Sequence, residues 1–192
     1  MRSADTRKVD DMEHPPRGLS DDVTTDGSLE RDVLLAGGLA GTLGAGVMAV
    51  LAMLLGTVAH GDPWYAPRLV GGVFFRHAPT GDVAVLLGFA VHFATAGGLA
   101  TAFASMVPRG GTALAPLMLG FLFALALQAV MPSLVVPWAS PPLARAEPSP
   151  AALFLLHLSF GACLGALPAA RRALLRLTRL RHRAAASARA PR

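Results

Sequence analysis

This sequence predicts an all-α membrane protein folded as a four-transmembrane-helix bundle, and three observations predict it. The 192 residues are 53% hydrophobic and 15% charged, with a mean hydropathy of +0.50, too apolar for an ordinary soluble domain of this size. Nearly all charges lie before Val33, after Ala170 or in short loops between, so the middle of the chain is suited to lipid rather than water. Four uncharged segments, 33–59, 83–107, 113–137 and 151–170, each reach the ~17 to 20 residues that a helix needs to cross ~30 Å of hydrocarbon.

The first segment follows 32 residues that hold five basic and nine acidic side chains, Pro15-Pro16 and almost no apolar periodicity. Residues 1–32 therefore read as a disordered tail. Thr57-Val58-Ala59 has the small-x-small form of a signal-peptide cleavage site. The acidic start and the length of the apolar run, far beyond the ~7 to 15 residues of a signal core, favour a membrane span.

Between the first and second segments, residues 60–82 gather His60, Asp62, Arg68, Arg76, His77 and Asp82 around Trp64 and Tyr65. Ala66 to Phe75 reads as a short helix on the outer leaflet. Its apolar side chains would enter the interface, Arg68 and Arg76 would reach headgroups, and Asp62 or Asp82 would pair with one arginine. His60-x-Asp62 with His77 is a zinc-type donor set at unfavourable spacing, and no metal site is expected. The single cysteine, Cys163, lies in an apolar run, which excludes an intrachain disulfide, a Cys-based zinc site and an iron–sulfur cluster.

The third segment carries Pro116 near its start and Pro132 and Pro137 near its end, so a kink or an unwound turn is expected there. Residues 171–192 hold eight arginines and no acid. Arg172, Arg176, Arg179 and Arg183 recur at helical spacing among leucines, and Arg171 and Arg181 add to them, so the fourth helix is expected to leave the bilayer as a basic amphipathic extension. Anionic lipid headgroups are the expected partner of these six arginines. Nucleic acid is not, because the basic pI comes mostly from this one tail. With an even number of spans both termini share a side, and that side collects 14 of the 17 Lys and Arg residues. Both termini are therefore expected in the cytoplasm of a cell whose inner membrane holds the chain. Trp64, Tyr65 and Trp138 fall at the opposite boundary, at the level where amphipathic rings prefer to sit.

The second and fourth segments echo one another. In each, a histidine about two turns from the outer end, His92 or His157, precedes a stretch of small residues by four or five positions. The echo suggests two parallel helical-hairpin repeats joined head to tail. A glycine-rich first span from Gly37 to Gly46, Pro63-Trp64 before Arg68-Leu69-Val70, His92 with Gly97, and His157 with Gly161 and Gly165 form a motif set over roughly residues 33–170. Through these motifs the chain resembles the small bacterial four-span membrane proteins grouped as domains of unknown function. The resemblance implies the architecture and supplies no mechanism.

Gly37, Gly41, Gly44, Gly97, Gly98, Gly161 and Gly165, spaced largely in small-x-x-x-small patterns, are candidate packing positions, since lipid gives helices no hydrophobic drive to associate and close backbone approach must replace it. Depth arithmetic places His92 and Gln128 ~14 Å and His157 ~9 Å below the outer surface, at ~1.5 Å per residue. A bundle that turned them to one interior, beside Met48 and Met53, would hold a polar layer of His92, Gln128 and His157. Such a layer serves either interhelical hydrogen bonding or a functional pathway. The functional form is axial ligation of haem b by the two histidines, or a proton or quinone site. No catalytic motif is present. The expected function is a structural or accessory component of the inner membrane, with a homo-oligomer or larger membrane complex as the setting. A redox or proton-handling subunit and an oligomeric channel or small transporter are the alternatives.

Overall fold

A computed structural model describes residues 30–77, 79–108, 112 and 114–189, with 30–32 and 182–189 described by backbone alone. The assigned tail as far as Leu29, Arg109, Gly110-Gly111 and the side chain of Arg183 lie outside the described residues. Among the described residues all regular structure is helical, and four helical segments are long and apolar enough to cross a membrane: Val33–His60, Gly81–Met106, Leu114–Ala139 and Pro150–Arg181. The chain is a four-helix membrane bundle.

Helix α1 (Ala36–His60) is entered through a π-helical turn at Glu30–Leu35, so regular structure starts inside the stretch read as tail. Its glycines do not unwind it, because hydrocarbon offers backbone groups no competing partner. Thr42 and Thr57 return their hydroxyls to the carbonyls of Gly38 and Met53, both at 2.8 Å. The helix ends at Gly61, whose φ of 67° lets the chain reverse, with the Asp62 and Gly61 amides closing onto Gly56 and Thr57 as a left-handed C-cap.

Helix α2 (Tyr65–Val70) and a 3₁₀ turn at Gly71–Val73 follow. Helix α2 is wedged between the ends of α1 and α3 (Gly81–Met106). Gly88 faces the Pro67 carbonyl and Gly71 faces the Ala84 carbonyl so closely that a methyl group at either position would collide with backbone. Asp62 starts the helix by accepting from the Trp64 amide at 2.9 Å. It also pairs with Arg68 at 2.7 Å, so Arg68 closes a local ion pair instead of reaching outward.

Helix α4 (Leu114–Val130) holds Pro116 in its first turn, where a missing amide hydrogen removes no helical bond, so no kink arises there. The disruption expected at the other proline pair occurs. A π-helical turn at Met131–Val135 contains Pro132, and helix α5 (Val136–Ala139) carries Pro137. The short helix α6 (Pro141–Arg145) then turns back over the bundle end. The buried Ser140 donates to the Leu69 carbonyl at 2.7 Å, joining the two loops.

Helix α7 (Pro150–Leu164) ends earlier than the expected span, and helix α8 (Leu167–Arg189) is a separate 23-residue element rather than a short continuation. The cause is local. Pro168 has no amide hydrogen for the Leu164 carbonyl and crowds it, and the break falls at Gly165-Ala166, whose amides close onto Ala162 and Cys163 at 3.1 and 2.9 Å.

Spans one to four run up, down, up, down. Helix α1 packs between α3 and α7, α7 also packs on α4, and Phe103 against Phe123, ring centroids 5.5 Å apart, brings α3 to α4. The core is drawn from the half nearest the termini, with Ala36, Ala40, Ala45, Ala96, Ala100, Phe103, Phe160, Leu164 and Leu167 buried together. Leu174 of α8 and Val33 pack against it, so the start of α8 is part of the bundle.

Candidate intramembrane polar site

The glycines set how closely the spans approach, and that approach decides which neighbours the polar side chains reach. On α1, a methyl at Gly37 would lie 2.8 Å from Thr101 Cα, and one at Gly41 would lie 2.9 Å from Gly97 Cα and from the Ala96 carbonyl. Gly44 faces the other way, where the Phe160 ring of α7 occupies the space of its absent side chain, 2.6 Å away. In the second hairpin, Gly161 meets the Gly120 carbonyl at 2.6 Å, and Gly165 meets Leu117 at 2.8 Å. Gly97 contributes through its backbone alone, and Gly98 faces open space, so Gly98 is not a packing position within the chain. Gly120, Gly88 and Gly71 were not among the expected positions. Gly120 with Ala124 and Ala84 with Gly88 carry the same four-residue small spacing, so the signal was present there, whereas Gly71 sits at a loop contact that no spacing rule marks.

The geometry divides the expected polar residues between two helix pairs. His92 Nε2 lies 3.1 Å from the Ala45 carbonyl of α1, whereas His157 Nδ1 lies 2.7 Å from Gln128 Oε1 of α4. The two imidazoles thus serve different helix pairs. Met48 packs against the apolar core rather than completing a layer with them. Every buried side-chain nitrogen or oxygen among the described residues has a hydrogen-bond partner, as hydrocarbon requires.

The two contacts have the same plan. Each hairpin has a glycine-mediated backbone contact, Gly41 with Gly97 or Gly120 with Gly161, and one to two turns toward the loop end the histidine of the second helix bonds to the first. The acceptors differ, a main-chain carbonyl at Ala45 and a side-chain amide at Gln128. Ala45 carries only a methyl group, which leaves His92 room to approach, so the imidazole reaches a carbonyl whose own helical bond leaves one lone pair free.

At the terminal end, Arg171 reaches the C-terminus of α3, donating to the carbonyls of Ala104 at 2.9 Å, Pro108 at 3.3 Å and Val107 at 3.4 Å. A guanidinium there answers both the carbonyls left free by the last helical turn and the negative end of the helix dipole. This role separates Arg171 from the other arginines named with it. Arg172, Arg176, Arg179 and Arg181 are exposed on α8. The first three share one side, with Leu177 and Leu180 exposed beyond it.

Near the loop end His60 stacks on Tyr65, ring centroids 3.7 Å apart. Among the described residues no three His, Cys, Asp or Glu side chains converge as a metal set. No family model, curated protein or solved structure matches the chain. The four-span resemblance therefore rests on its sequence motifs.

Proposed function

We propose that this chain is a non-enzymatic structural or accessory component of a bacterial-type inner membrane, with both termini in the cytoplasm. The observation that supports the reading is the use made of polar side chains along the spans. His92 braces α3 on α1, His157 braces α7 on α4, and Arg171 braces the start of α8 on the end of α3. Each links two helices, which is the work of a scaffold. Helix α8 then lies along the cytoplasmic surface, with Arg172, Arg176 and Arg179 toward anionic headgroups and its leucines toward lipid. The membership suggested by the motif resemblance carries the same architecture.

A redox or proton-handling subunit is the second reading, favoured by the His157–Gln128 pair, an imidazole held by an amide within a span. Purification in mild detergent, with absorption spectra and mass-spectrometric identification of co-purifying molecules, separates the two. The scaffold reading expects a colourless protein accompanied by membrane proteins or a second copy of itself. A Soret band that disappears in His92→Ala would overturn it in favour of haem b, and co-purified quinone would overturn it in favour of a quinone site. Ion flux in reconstituted liposomes would replace it with an oligomeric channel or small transporter.

A further inference from the structure

At the loop end, two arginines from different loops converge without a carboxylate. Arg76 Nη2 donates to the Trp138 carbonyl at 3.3 Å, and Arg145 Nη2 donates to the carbonyl of Arg76 itself at 3.3 Å. Both side chains are exposed, and the ion pair found among the described residues is Arg68 with Asp62. Each guanidinium has five N–H donors in a planar fork, so each keeps donors for an anion after engaging its carbonyl. Those carbonyls also restrain both side chains in advance, which lowers the ordering cost of binding.

Beside them, Trp138 is 76% exposed and Phe74 56%. Trp138 stands at the end of the third span, Leu114–Ala139, the level at which indole rings favour headgroups. Phosphate is the planar fork's natural anion, and at that depth it is supplied by lipid.

We propose that Arg76 and Arg145 form a phosphate-binding site for an anionic phospholipid headgroup, with Trp138 and Phe74 against the glycerol region of the same lipid. The site rests on the chain crossing a bilayer and does not depend on which compartment the loop end faces. It is also separate from the basic stripe of α8, at the opposite end of the bundle.

The test uses the full chain in nanodiscs with Trp64→Phe, which leaves Trp138 as the sole tryptophan. Brominated phosphatidylglycerol and brominated phosphatidylcholine, each at the same mole fraction, serve as quenchers. The proposal expects roughly fivefold enrichment of the glycerol lipid at Trp138, the scale of an exposed charge pair. It expects that enrichment to fall to parity in Arg76→Gln with Arg145→Gln, to weaken in added salt, and to remain in Arg172→Gln with Arg176→Gln. Equal quenching by the two lipids in the unaltered protein would overturn it, independently of how any variant folds. Loss of the enrichment on adding inorganic phosphate, but not the same ionic strength of chloride, would also overturn it, by making the ligand a soluble phosphate.

Discussion

His157 Nδ1 lies 2.7 Å from Gln128 Oε1, so the imidazole of the fourth span is held by the amide of the third. With Gln128 Oε1 as acceptor, the proton resides on Nδ1. His157 lies about one turn from Gly161, and Gln128 about two turns from Gly120. The backbone approach and the side-chain bond consequently depend on the same spacing between α4 and α7.

Removing either partner leaves the other unpaired at a helix contact inside lipid. His157→Phe and Gln128→Leu should each destabilise the bundle by about 0.5–2 kcal/mol, and the double substitution should cost less than their sum by about 0.6 kcal/mol or more. Unfolding by steric trapping in bicelles measures all three. Strict additivity would mean that the pair contributes nothing.

The glycine contacts should be the least tolerant positions. Gly161→Leu and Gly120→Leu place side chains into facing backbone and should abolish accumulation of the folded protein, whereas Gly98→Leu and Gly38→Leu, which meet nothing within 4 Å, should accumulate normally. Quantitative immunoblots of membranes with size-exclusion profiles in detergent check the contrast. Equal tolerance at Gly161 and Gly98 would contradict the packing described.

Arg171 should matter in a way that its neighbours do not. Arg171→Gln removes a charge from the carbonyls that end α3 and should destabilise by about 1–2 kcal/mol, while Arg172→Gln should change stability by less than about 0.5 kcal/mol and act on vesicle binding. Thermal unfolding in one detergent, with flotation on phosphatidylglycerol vesicles, distinguishes the two effects.

The join between the loops makes a further prediction. Ser140→Ala removes the bond to the Leu69 carbonyl and should cost about 1–2 kcal/mol, with faster hydrogen exchange at α2 and α6 than at α1. Unchanged exchange at α2 would show that α2 is held by Gly88 and Gly71 alone.

The spans and their number were legible because charge and length speak directly to the membrane, and His92, His157 and Gln128 were legible as polar residues out of place in lipid. Gln128 and backbone carbonyls were legible as candidate partners of the two histidines, but which histidine takes which was not. Depth along a helix can be counted from sequence, but the azimuth depends on which helices are neighbours, and α1 stands between α3 and α7. That arrangement sends His92 to Ala45 and keeps it from His157's partner. The break before α8 was available in Pro168, which stands four residues after Leu164, but the apolar run continues through it and hid the interruption. The role of Arg171 was masked by the seven other arginines that follow Ala170.

Four membrane crossings with both ends on the cytoplasmic side are the topology proposed above, and site-directed cysteine labelling in intact cells tests it most directly. In a Cys163→Ala background, His77→Cys and Ala146→Cys should react with a membrane-impermeant maleimide added outside the inner membrane, while Ser187→Cys should react only after permeabilisation. Labelling of Ser187→Cys in sealed cells, or equal protection of His77→Cys and Ser187→Cys, would contradict the topology.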